Sequence, residues 1–301
     1  MKRFKNILVV HSDHTGSDDA LSRATDLATS NAASLTIMDV VQDAVSTPMV
    51  LAERQKRLSR LLISVQQEGV DATVIVVSGI PFLEIIRQVL HKDHDLVIMA
   101  ADSTYDLRHI FFGSTSMHLM RKCPCPVWVL KPHQPRQYRK ILAAVAYPVS
   151  ETEHDELNIK ILDLATSLAH TEDSELHILH AWDFTGADAD TIRSEIHDET
   201  RGRLFHKYQS THTTWIDNLL ARYDLKEIQH HVHLVRGRPE STITQMVDEN
   251  DINLIVMGTI SQTGIPGFFI GNTAEYVLTQ VNCSVLTLKP AGFVTPITMD
   301  L

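Results

Sequence analysis

The sequence is short of the features that mark several large protein classes. It has three cysteines in 301 residues, Cys123, Cys125 and Cys283, too few and too unevenly placed for a disulfide framework. A reducing compartment, the cytoplasm, is expected. No apolar run approaches the roughly 18 residues of a membrane-spanning helix, so no membrane association is expected. After Lys2, Arg3 and Lys5 only Ile7 to Val10 precede His11, Ser12 and Asp13, so no secretory leader is expected either. Basic charge is also scarce: 27 Lys and Arg stand against 37 Asp and Glu, a formal net charge of −10. A phosphate backbone is repelled by such a surface unless its basic residues are concentrated, and no nucleic-acid partner is expected. A Walker loop ending in Gly-Lys-Ser/Thr is missing, as is a nucleophile elbow. A dedicated hydrolase is therefore not expected, and ATP hydrolysis would be slow at most.

What is present is a repeat. The apolar fraction of 44% and charged fraction of 21% suit a soluble globular chain long enough for two domains. Val77-Ser78-Gly79-Ile80-Pro81 returns as Val235-Arg236-Gly237-Arg238-Pro239, an offset of 158 residues. The same offset relates Leu96-Val97-Ile98-Met99-Ala100 to Leu254-Ile255-Val256-Met257-Gly258, and Lys131-Pro132 to Lys289-Pro290. Upstream the offset is smaller, with Asn6-Ile7-Leu8-Val9-Val10 answered by Lys140-Ile141-Leu142-Ala143-Ala144, so the second copy carries an insertion near 183–215. Each copy alternates short apolar strands with helical periods, the pattern of βαβ units around a parallel sheet. Strands are expected near 6–11, 34–40, 72–77, 95–100 and 126–130, and near 140–145, 175–181, 230–235, 253–258 and 284–288. The fold class is α/β: two tandem, doubly wound, five-stranded parallel-sheet domains, at 1–133 and 139–301, with a linker at 134–138. Val127-Trp128-Val129-Leu130 and Val285-Leu286-Thr287-Leu288 are apolar along their length, Thr287 apart, instead of alternating. Exposed edges of that composition invite aggregation, so the two are expected to pair in an internal pseudo-dimer.

After the fourth strand of the second copy come Gly258, two residues, Ser261, nine residues, and Gly271-Asn272-Thr273. This spacing resembles that of the ATP-binding universal stress proteins, in which two glycines precede a Gly-Ser/Thr pair that opens the last helix. The chain departs from that pattern at Ser261 and Asn272. The resemblance implies a Rossmann-like fold of the adenine nucleotide alpha hydrolase type. It also implies a nucleotide ligand, ATP with Mg, and a role in the stress response as a regulator or adaptor. Carried over residue by residue, it assigns Gly258, Ser261, Gly271, Asn272, Thr273, Ala181 and Ala146 to a site in the second half. A weaker counterpart comprises Ser12, Asp13, Val40, Ala100, Ser103, Gly113, Ser114 and Thr115, where Ala100 replaces the first glycine. The family's Asp after the first strand is in register in neither half: Ser12 and Ala146 hold that position, with Asp13 one residue late. The physical basis is general, since glycine lets backbone N–H groups approach phosphate and a helix start adds a favourable dipole. Alternatives are simple helix capping by Asn272 and Thr273, a ligand-free dimeric scaffold, a different nucleotide-containing or elongated ligand, and weak ATPase activity. A further homodimer is also open.

Of 17 histidines, His230, His231 and His233 lie on one expected strand and His177 and His180 on its neighbour. No Cys or carboxylate stands at a recognisable ligand spacing, so no metal site is expected. Cys123-Pro124-Cys125-Pro126 is not a C-x-x-C redox motif and should hold buried or partly buried thiols. The insertion is expected as a long second helix preceded by a loop, poised as a lid.

Overall fold

A computed structural model describes all residues except 1–3, 14, 102–111, 133–134, 136, 149–154, 185–197, 260–270 and 300–301. The apolar runs read above form ten strands: β1 (Asn6–Val10), β2 (Ser34–Val41), β3 (Ala72–Ser78), β4 (Leu96–Ala100), β5 (Val127–Leu130), β6 (Lys140–Val145), β7 (Glu175–Trp182), β8 (His230–Arg236), β9 (Leu254–Gly258) and β10 (Ser284–Leu288). Between them, among the described residues, lie α1 (Ser17–Asn31), α2 (Pro48–Gln67), α3 (Pro81–Lys92), α4 (Ser114–Lys122), α5 (Glu156–Glu172), α6 (Asp198–Leu220), α7 (Pro239–Asn250) and α8 (Asn272–Gln280).

All ten strands join one sheet in the order β3-β2-β1-β4-β5-β10-β9-β6-β7-β8. Pairing is parallel within each half and antiparallel where β10 meets β5, with Trp128 opposite Leu286. The two largely apolar edges thus close on each other. Because successive strand residues face opposite sides, Ile7 and Val9 join one core layer and Leu8 and Val10 the other. The first layer is completed by α1, α2, α5 and α6 through residues such as Ala24, Leu58, Ile161 and Ile216. The second is completed by α3, α4, α7 and α8 through Ile85, Leu119, Val247 and Val277.

Helix boundaries repeat across the halves. Pro81 and Pro239 open α3 and α7, where a missing N–H costs nothing. The same helices stop at Asp93 (φ 53°) and Asp251 (φ 52°), left-handed positions that Asp tolerates better than most side chains. Side chains also tie the halves together behind the seam. Arg23 of α1 ion-pairs Glu172 of α5, both largely buried, and Glu172 accepts the Tyr138 N–H at 2.7 Å. The Arg23 guanidinium stacks over the Tyr138 ring, 4.5 Å from its centroid.

Candidate functional site

In a doubly wound sheet, ligands bind beyond the carboxyl ends of the strands where the winding direction reverses. In the second half that point lies between β6 and β9, and it is open. A cavity of about 230 Å³ lies there, lined among others by Ala144, Leu179, Met257, Ile161 and Ile243. Ala146, Ala181, Gly258, Gly271 and Thr273 also line it, so five of the seven residues assigned from sequence converge. Asn272 is exposed beside the cavity, and Ser261 lies outside the described residues.

The start of α8 forms one end of this cavity. Its N-cap is Gly271, with extended backbone and no side-chain cap bond, so Asn272 and Thr273 are not capping the helix. The Gly271 N–H donates to the Thr259 carbonyl at 2.8 Å. The first-turn N–H groups of Asn272, Thr273 and Ala274 have no intrahelical acceptor and present the positive end of the helix dipole.

Two neighbours narrow the cavity. A Cβ on Gly258 would stand 2.7 Å from Leu157 Cδ2, so this glycine lets Leu157 pack directly on the end of β9. Asn158, 5% exposed, clasps Ala146: its Oδ1 accepts the Ala146 N–H at 3.0 Å and its Nδ2 donates to the Ala146 carbonyl at 2.8 Å. Tyr147, on the rim, packs edge-on against His212 and Trp215 of α6, with ring centroids 4.8 and 5.5 Å away. Behind these, His180 Nε2 and His212 Nδ1 are hydrogen-bonded at 2.9 Å. Burial above all, with help from His212, pulls the His180 pKa down to about 4, against a weaker opposing contact with the Val145 carbonyl.

The first half uses the same frame differently. Gly16, in the left-handed region at φ 89°, packs on the alanine that replaces the glycine, so close that a Cβ would stand 3.4 Å from Ala100 Cβ. Ser12 Oγ meets Ser17 Oγ at 3.3 Å. Asp13, the counterpart of Tyr147, is drawn to Arg54 and Arg57 of α2. Both arginines also reach Asp39, the counterpart of His180, at 3.5 and 2.8 Å. Gly113 caps α4 without a side-chain bond, as Gly271 does α8. Ser114 is exposed, Thr115 and Val40 are half-buried, and Ser103 lies outside the described residues.

A buried lysine follows the last strand of each half. Lys289 Nζ donates to Thr259 Oγ1, beside the second-half cavity, and to the Met120 carbonyl in the last turn of α4. Burial lowers its pKa to about 7. Lys131, its counterpart, lies over the Phe112 ring at 4.1 Å, and burial lowers its pKa to about 8.

With this geometry in place, comparison with known proteins decides the family. The model of the universal stress protein family matches residues 3–131 and again 137–289. The chain belongs to the universal stress protein family. It is 28% identical to universal stress protein E of Photorhabdus laumondii over 99% of this chain and 98% of that one. It is 32% identical to universal stress protein E of Escherichia coli K12 over 73% of this chain and 68% of that one. Among solved structures, a functionally unknown protein of Pseudomonas aeruginosa PAO1 superposes with a TM-score of 0.78 at 23% identity, over 96% of this chain and 94% of that one.

In this universal stress protein His230 and His231 are exposed and His233 is half-buried. His177 and His180 are buried. His177 Nδ1 meets His233 Nε2 at 3.0 Å, and Glu175 stands 3.1 Å from His177 and 3.0 Å from His231. Among the described residues no group of three or more His, Cys, Asp or Glu side chains is arranged to hold a metal ion. Cys123 is buried and Cys125 half-buried, both free, with sulfurs 3.5 Å apart. The lid expected of the insertion falls partly on 185–197, outside the described residues; α6 itself packs on β7 through Phe205 and His212 against Trp182. Leu157, Asn158 and Tyr147 were not singled out from sequence. One signal was available: Asn158 stands where the first half has Leu21, a polar residue on a core-facing helix position.

Proposed function

We propose that this universal stress protein binds a nucleotide, with Mg-ATP as the reference ligand, in its second half, and acts as a regulator or adaptor in the stress response. The supporting observation is the cavity at the β6/β9 switch point, which ends on the uncapped start of α8. Gly271 and Thr273 would face phosphate oxygens there, and the apolar walls from Leu179, Ile161 and Ile243 suit the flat face of a base. Bound Mg would supply charge compensation for the phosphates. Turnover is slow or nil on this reading, because among the described residues the cavity lining includes no carboxylate or histidine to handle a proton. The cytoplasm is the proposed location, with the chain acting through its internal pseudo-dimer.

A second reading, a ligand-free scaffold, draws support from Leu157 lying on Gly258 and from the Asn158 clasp on Ala146. One experiment separates the two. Calorimetric titration with Mg-ATP should show a saturable binding step, that of the second half, which a Gly271→Asp variant loses. Asp is a favoured N-cap, so α8 should keep its start while the added carboxylate repels phosphate. Absence of binding by the unaltered chain would favour the scaffold.

A further inference from the structure

Helix α2 carries a basic stretch that the second-half cavity does not use. Arg54, Arg57 and Arg60 recur three residues apart, so they share one side of the helix, with Lys56 beside them. Together with Asp13, Glu53 and Val50 these four line a groove of about 460 Å³. This is a local concentration of basic residues in a chain of net charge −10.

The two inner guanidiniums are held from below. Asp39, 3% exposed, accepts from Arg57 Nη2 at 2.8 Å and stands 3.5 Å from Arg54 Nη1. Each guanidinium has further donors, and these turn to Asp13, whose side chain is 56% exposed. A guanidinium is a planar fork that fits carboxylate and phosphate alike. Asp13 therefore stands where an anion would, bringing a single charge on the loop that follows β1. Among the described residues no ion pair engages Lys56 or Arg60, both exposed.

Size and charge narrow the ligand. Arg54 to Arg60 spans about 9 Å along the helix at the usual rise per residue. With Asp13 moved aside, the four cations are set, among the described residues, against Asp39 and Glu53, leaving two positive charges spread along that length. One phosphoryl group is too short to meet them all, whereas two joined phosphoryl groups fit.

We infer that the α2 groove is a binding site for a diphosphate group, free or carried by a nucleotide, and that Asp13 is its built-in competitor. The test is calorimetric titration of the full chain with inorganic pyrophosphate in the Gly271→Asp background, which removes any contribution from the second half. Asp13→Asn should tighten binding about tenfold by removing the competing carboxylate. A Lys56→Gln/Arg60→Gln variant, altered only at exposed side chains, should weaken binding several-fold and flatten its salt dependence. Titration with ADP and AMP distinguishes the sources: ADP matching pyrophosphate while AMP is silent marks a nucleotide-borne diphosphate, and both silent marks the free anion. No saturable pyrophosphate binding by Asp13→Asn, or binding indifferent to Lys56→Gln/Arg60→Gln, overturns the assignment.

Discussion

The asymmetry between the halves begins at single residues on one shared backbone. Asp39 and His180 occupy matched positions on the second strand of each half, and both face the helix that follows. In the first half the helix answers with two arginines, in the second with His212 and Trp215. The second arrangement has a pH signature. The unfolded chain protonates His180 near pH 6.5, whereas the folded imidazole resists to about pH 4. Stability due to this neutral histidine is therefore complete above pH 6.5 and declines as pH falls towards 4, by up to about 3 kcal/mol. Urea midpoints measured from pH 7 to 4 should show the decline, and His180→Leu should make it shallower. Asn158 offers a second check. Truncation to Ala removes both part-buried hydrogen bonds to the Ala146 backbone, each worth about 0.5–1.5 kcal/mol, and should cost about 1–3 kcal/mol in urea unfolding.

Elements were far more legible in the sequence than the contacts between them. Most strands could be read because each is a short, largely apolar run; β8, His-His-Val-His-Leu-Val-Arg, was legible because the 158-residue offset sets it against β3. The β5–β10 seam followed from edge logic alone, since Val127 to Leu130 have no solvent-tolerant face. The glycine-bracketed start of α8 was legible as spacing. The lining of the cavity was not, because it depends on how α5 enters after the loop behind β6. In the first half the corresponding helix starts with Gly16 against Ala100; in the second, Leu157 reaches across the end of β9. A helical period gives which residues face inward, but not which strand end they cover. The same limit hid the arginine pairing to Asp39, since α2 and β2 are joined by a connection that fixes neither helix tilt nor register.

At the scale of the whole molecule the chain is two domains by repeat and one body by hydrogen bonding. The Arg23–Glu172 pair, tucked against Trp128 and Tyr138, measures how strongly the halves depend on each other. Arg23→Met leaves Glu172 buried without its counter-charge and should cost about 3–5 kcal/mol; adding Glu172→Gln should recover much of that loss. A double-mutant cycle by urea unfolding gives the coupling, and additive losses would mean the pair contributes nothing of its own.

The antiparallel seam has one more result. Because the strands of one half run against those of the other, their carboxyl ends point in opposite directions along the sheet, separated by roughly the 17 Å length of a five-residue strand. The molecule is accordingly two-headed: a cargo taken up at one head would leave the other free to meet a different one, and two visitors approaching from opposite sides would not compete for room.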